Sequence, residues 1–135
     1  MPAELSGIPF QLIARLMALA FFAILFLQSS LDKITDRKGN LEYLNSVFAK
    51  SSLKNSVGFL FPVITLLELA AGTCCAIGAL LLGLGNSVVG TIGLLLSCSA
   101  LLCLFFGQRV ANDYAGAASL AAYFAVALLG LVLFL

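Results

Sequence analysis

With 135 residues, 62% of them hydrophobic and 10% charged, and a mean hydropathy of +1.15, the chain lies far from soluble domains, in which about a quarter of residues are charged. A net charge of +1 leaves no large basic surface for nucleic acid, and the absence of histidine excludes His-ligated haem, His-containing zinc sites and imidazole bases. The composition is that of an integral membrane protein: about 20 apolar residues span the hydrocarbon layer, so four crossings with short connections fill a single domain over residues 1–135.

Residues 1–10, with Pro2, Gly7 and Pro9, read as a short lead-in without the basic region and cleavage site of a secretory signal. The first span runs from about 11 to 31; Arg15 near its start can snorkel to the head groups, whereas Gln28 near its end cannot easily do so. Between Asp32 and Ser56 the charges crowd together in the one sizeable loop. There Leu41, Leu44, Val47 and Phe48 recur at helical spacing while Glu42, Asn45, Ser46 and Lys50 fall mostly elsewhere, which predicts a short amphipathic helix on the membrane surface or folded into the bundle mouth. The second span covers about 57–83, with Pro62 in its first turns. The short turn Leu84-Gly85-Asn86 makes the second and third spans antiparallel neighbours. The third span is 86–106, a polar connection follows from Gly107 to Asp113, and the last span is 114–135. The predicted architecture is all-α, a bundle of four transmembrane helices with a short interfacial helix between the first and second.

Four crossings put both termini on one side and both charged connections on the other. Lys33, Arg37, Lys38, Lys50, Lys54 and Arg109 share the loop side, so the positive-inside rule places the loops in the cytoplasm. Gly72, Gly78, Gly90, Gly93 and the alanines of the last span mark close helix approaches. Cys74, Cys75, Cys98 and Cys103 fall inside apolar segments without a CxxC spacing and read as packing residues. Phe21, Phe22, Phe26, Phe59 and Phe61 read as core or lipid-facing residues. No phosphate loop, Ser-His pair or closely spaced carboxylate pair supports a hydrolase or kinase, and no ligand set for a metal is present.

Glu68 is the exception to this apolar pattern, alone in a stretch from Val57 to Gly83 with no other charge. A carboxylate near the bilayer centre costs roughly 2.5 to 3.5 kcal/mol, so it needs a partner and marks a candidate site. Thr65, Glu68, Gly72 and Cys75 share one helix face, which points into the bundle. Arg15 is the expected partner. Glu68 is either protonated, or paired with Arg15 to fix helix register, or exchanges a proton with a bound ligand such as a quinone head group, or lines an ion or solute pathway. At the loop side, Gln28, Asp32 and Lys33 are expected to meet Arg109, Asn112, Asp113 and Tyr114 in a rim that binds a polar head group, with interfacial anchoring as the plainer role.

The order Arg15, then Ser29-Ser30-Leu31-Asp32-Lys33, then Glu68 followed by Gly72 and Gly78, resembles the DoxX/DoxD family of small four-helix membrane proteins over most of the chain. In that family a small-residue pair precedes a lysine after the first helix, and a glutamate opens a Glu-x-x-x-Gly-x-x-x-x-x-Gly run in the second. Glu68, Gly72 and Gly78 keep that spacing, and Ser30 stands where the family often has glycine. The segments Phe106-Gly107-Gln108-Arg109 and Asn112-Asp113-Tyr114-Ala115-Gly116 look like family members too. The resemblance implies a multi-pass protein of the bacterial inner membrane, serving as a membrane subunit of a quinone-linked redox or respiratory system. It implies a non-covalent quinone, no haem or metal, and a partner subunit carrying the redox centres; nothing in this chain resembles such a second subunit. The alternative is a non-enzymatic scaffold or accessory subunit that stabilises a larger complex through its glycine- and alanine-rich faces. A homo-oligomer stays open beside either reading.

Overall fold

Every long apolar stretch is helical in the computed structural model, which describes residues 4–5 and 8–135. A two-residue antiparallel pair, β1 (Glu4–Leu5) and β2 (Ile8–Pro9), precedes α1 (Phe10–Thr35). Residues 1–3 and 6–7 of the expected lead-in lie outside the described residues. The helices α2 (Arg37–Val47), α3 (Val57–Gly83), α4 (Val88–Val110) and α5 (Tyr114–Val132) follow. All but α2 are long and apolar enough to cross a membrane. The chain is a multi-pass, all-α membrane protein whose lipid-facing surface is apolar, with Met17, Ile24, Leu66, Leu80, Leu95 and Leu129 exposed.

Helix ends depart from the predicted spans because hydropathy marks the hydrocarbon layer, not the end of the backbone ladder. Past Leu31, Asp32 to Thr35 stay helical, and Thr35 Oγ1 returns a hydrogen bond to Leu31 O at 2.8 Å. At the other junction α4 starts two residues late. Gly85 takes φ +92°, the left-handed conformation that glycine adopts without Cβ strain, and Asn86 Oδ1 accepts from the Val88 N–H at 2.9 Å, so Asn86 and Ser87 belong to the turn.

The bundle closes in the order α1, α3, α4, α5, with broad packing at each of those three junctions and a light contact where α5 returns to α1. Its core is built by Leu19, Phe22, Phe26, Ala71, Leu94 and Leu101. Phe22, Phe26 and Phe61 are core residues, while Phe21 and Phe59 lie on the outside. Glycines allow the tight junctions: α3 meets α4 at Gly78 against Gly90 and at Gly93 against Cys75, and α1 meets α3 where Leu27 lies over Gly72. The amphipathic segment is α2, capped by Asp36, whose Oδ1 accepts from Gly39 N at 3.2 Å. Leu41, Leu44, Val47 and Phe48 are half-buried while Glu42, Asn45 and Ser46 are exposed, and Phe48 rests against Gly107 of α4. This helix therefore folds over the loop-side mouth of the bundle.

Candidate functional site

The face predicted on α3 is buried as a unit: Thr65, Glu68, Gly72 and Cys75 all lie inside the bundle. Thr65 satisfies its hydroxyl on Phe61 O at 2.7 Å, and Cys75 Sγ meets Ser97 Oγ at 3.6 Å. Glu68, at 1% exposure, is the one charged side chain of the described core.

Its partner is Lys33, not Arg15. Lys33 Nζ lies 3.0 Å from Glu68 Oε1 and donates to Ser29 Oγ at 2.8 Å. The reason is height in the bundle. Leu27 sits over Gly72, so Glu68, one turn nearer the loops, is level with about Ser30 or Leu31 of α1. Arg15 is about 15 residues further down that helix, roughly 20 Å along the axis and beyond the reach of its side chain. Lys33 instead continues the buried stripe of Leu19, Phe22, Phe26 and Ser30, and points back into the bundle.

Arg15 has a different task. Its Nε donates to Leu133 O at 2.6 Å, Gln11 Nε2 donates to the same carbonyl at 2.8 Å, and the guanidinium lies 5.0 Å from the centre of the Phe134 ring. These contacts satisfy a carbonyl at the end of α5 and fasten it to the start of α1.

The expected loop-side rim divides into separate groups. Lys33 turns inward to Glu68, and Asp32 accepts from Asn40 Nδ2 at 3.4 Å. Gln28 stays exposed on the open side of α1. On the other group, Arg109 lies 4.5 Å from the centre of the Tyr114 ring, and Tyr114 OH donates to Asn112 Oδ1 at 2.9 Å. Asn112 itself turns the chain at φ 60°, and Asp113 caps α5 by accepting from Gly116 N at 3.0 Å. The cap makes Asp113 a helix-starting residue. Asp113→Ala is expected to lower stability by about 1 kcal/mol, read from thermal unfolding in detergent.

The Glu68–Lys33 contact is an ion pair without hydrogen-bond alignment, so Glu68 Oε1 is a buried oxygen with no hydrogen-bond partner. Beside it is a cavity of about 90 Å³ with Ser29 and Glu68 among its lining residues. Its remaining walls come from Leu25 and Phe26 of α1, Leu101 and Leu104 of α4, and Leu120 and Tyr123 of α5. Sequence reasoning missed the α5 contribution. Leu25 and Ser29 also line a larger open groove of about 420 Å³ along the outer side of α1, with Gln28, Asp32 and Thr35. The slot presents the Glu68 carboxylate and the hydroxyl-bearing Ser29 and Tyr123 among apolar side chains, with the Lys33 ammonium held against Glu68 and Ser29. No family model, curated protein or solved structure matches the chain.

Proposed function

We propose that the protein is a DoxX-like bacterial inner-membrane subunit of a quinone-linked redox system, and that Glu68 and Lys33 form its quinone-facing polar site. The observation that carries this reading is the Glu68 carboxylate, buried and 3.0 Å from the Lys33 ammonium, beside a mainly apolar slot. A carboxylate oxygen accepts hydrogen bonds, so the ligand atom that meets it is a donor, the hydroxyl of a quinol, whereas a quinone carbonyl turns to Lys33. Lys33 can donate to a quinone oxygen, and Glu68 can hold or release a proton at the same atom. Conversion of a quinone to its quinol consumes two electrons and two protons. The site handles protons, and the electrons come from a partner subunit that carries the redox centres.

Size limits how the ligand sits. A cavity of about 90 Å³ is smaller than the roughly 150 Å³ pocket that takes up benzene, so only the oxygen-bearing edge of a ring enters beside Glu68. The ring itself lies along the adjoining open groove, which is lined by α1 alone.

For the scaffold reading, Gly72, Gly78, Gly90 and Gly93 are consumed in contacts inside the bundle, while the small-residue face of α5, with Ala115, Ala118, Ala121 and Ala122, stays exposed. The test is equilibrium binding of a decyl-tailed benzoquinol, kept reduced, to the protein in lipid nanodiscs. Glu68→Gln, which keeps the shape and removes the charge, is expected to weaken binding at least tenfold while leaving the helical content unchanged. Undiminished binding by a folded Glu68→Gln variant removes Glu68 from the site.

A further inference from the structure

We infer that the occupant of the Glu68 site comes sideways from the lipid, through the seam between α1 and α5, and that it is an amphiphile whose head reaches Glu68 while its chain lies in that seam. This rests on the reading of the slot as a ligand site and adds the route and the build of the ligand.

On the loop side, α2 lies against α1 and α3, and its following residue Phe48 packs against Gly107 at the end of α4. From the opposite side, the core residues Leu19, Phe22 and Leu94 are fully buried below the site. Around the bundle, α1 with α3, α3 with α4, and α4 with α5 are packed broadly, whereas α5 meets α1 lightly.

That last seam is not uniform along its length. Its terminal-side half is fastened: Gln11 and Arg15 hold Leu133 O, and Gly130 of α5 lies against Ala18 of α1. Midway, the Phe21 and Tyr123 rings stand 6.1 Å apart at a tilt. Toward the loops the seam holds the slot itself, with Leu25 on the α1 wall and Leu120 and Tyr123 on the α5 wall. The opening is thus bounded by a clamp at one end and leads between apolar side chains to a carboxylate.

The chemistry of the walls selects the ligand. Leucines and aromatic rings toward lipid accept a hydrocarbon chain, and the Ser29, Lys33 and Glu68 group at the inner end accepts an oxygen-bearing head that can both donate and accept. The groove continuing past Leu25 and Ser29 carries Gln28, a hydrogen-bonding amide exposed on a membrane-crossing helix. A polar head with an apolar chain satisfies both zones at once. A fully water-soluble substrate leaves the chain zone unfilled, and a plain hydrocarbon leaves Glu68 and Gln28 unsatisfied.

The test is photo-crosslinking of the full chain in nanodiscs with a benzoquinol, kept reduced, whose ten-carbon tail carries a diazirine at mid-chain, followed by peptide mapping. A matched diazirine-bearing alkane without a head is the control. The expected result is saturable labelling of α1 from Leu25 to Asp32 and of α5 around Leu120 and Tyr123, competed by unlabelled decyl-tailed benzoquinol and absent with the alkane. Saturable binding with the label on α2 or on the outer faces of α3 and α4 overturns the lateral route alone. Equal labelling of the seam by the headless alkane overturns the recognition of a polar head. Absence of any saturable binding overturns the ligand reading beneath both.

Discussion

Lys33→Met is expected to destabilise the protein by about 3 to 5 kcal/mol, the usual cost of stripping a buried charge of its partner. Glu68 is 1% exposed, a little over one turn inside α1's loop end, and Lys33 is its only cation within 4 Å among the described residues. The reverse change should cost less. Lys33 is 16% exposed on its side chain and two residues from the end of α1, so when Glu68 becomes Gln the ammonium can turn outward to the head groups, whereas the carboxylate has no such exit. Lys33→Met combined with Glu68→Leu should recover most of the loss, since apolar residues of similar volume replace a buried ion pair at little cost. Unfolding of Lys33→Met, Glu68→Leu and the double variant against the parent in mixed detergent measures the coupling directly. A Lys33→Met protein as stable as the parent shows that Glu68 carries no charge in the folded state, and the ion pair then ceases to explain the site.

This cycle tests a pairing that sequence reasoning assigned to the wrong cation, and the error is instructive. The need for a partner followed from Glu68 standing alone in an apolar run, and so did the inward face of Thr65, Glu68, Gly72 and Cys75. What did not follow was the relative height of α1 and α3, because that is set by which small residue receives which large one. The meeting of Leu27 with Gly72 fixes it and is a property of two helices together. One signal was available: Leu19, Phe22, Phe26 and Ser30 step by three or four residues, and the next step along that stripe is Lys33. The α2 helix was legible for the same reason, as its apolar spacing needs no tertiary information. Arg109, Asn112, Asp113 and Tyr114 looked like a binding rim because polar residues at a membrane surface serve turns, caps and ligands alike; the structure gives Asp113 to a cap and Asn112 to a turn. The walls of the slot on α5 were illegible, since leucine and tyrosine in an apolar span carry no mark of what they face.

Gly78→Ala is expected to be the most damaging of the single-methyl additions, with a net loss of about 1 to 2 kcal/mol. A Cβ there would lie 2.5 Å from Gly90 Cα and 2.6 Å from Gly90 N, so relief requires the two helix backbones to separate. Overpacking of this kind costs about 1 to 3 kcal/mol, against a gain of about 0.5 to 1 kcal/mol for alanine over glycine within a helix. The clash wins. Gly90→Ala should be milder, because its nearest neighbour is Leu19 Cδ1 at 2.9 Å, the end of a flexible side chain. Gly58→Ala, with nothing within 4 Å, should be neutral or slightly stabilising and serves as the control in thermal unfolding. The effect should reach the site as well. Gly78 meets Gly90 and Cys75 meets Gly93, so each step back along α3 is matched by an equal step along α4, and two further turns bring Glu68 level with Leu101, a wall of its slot. Separating the helices at Gly78 therefore widens that wall, and the decyl-tailed benzoquinol should bind more weakly to Gly78→Ala than to Gly58→Ala. Equal stability and equal binding in those two variants would show that the glycine contact does not set the height of Glu68.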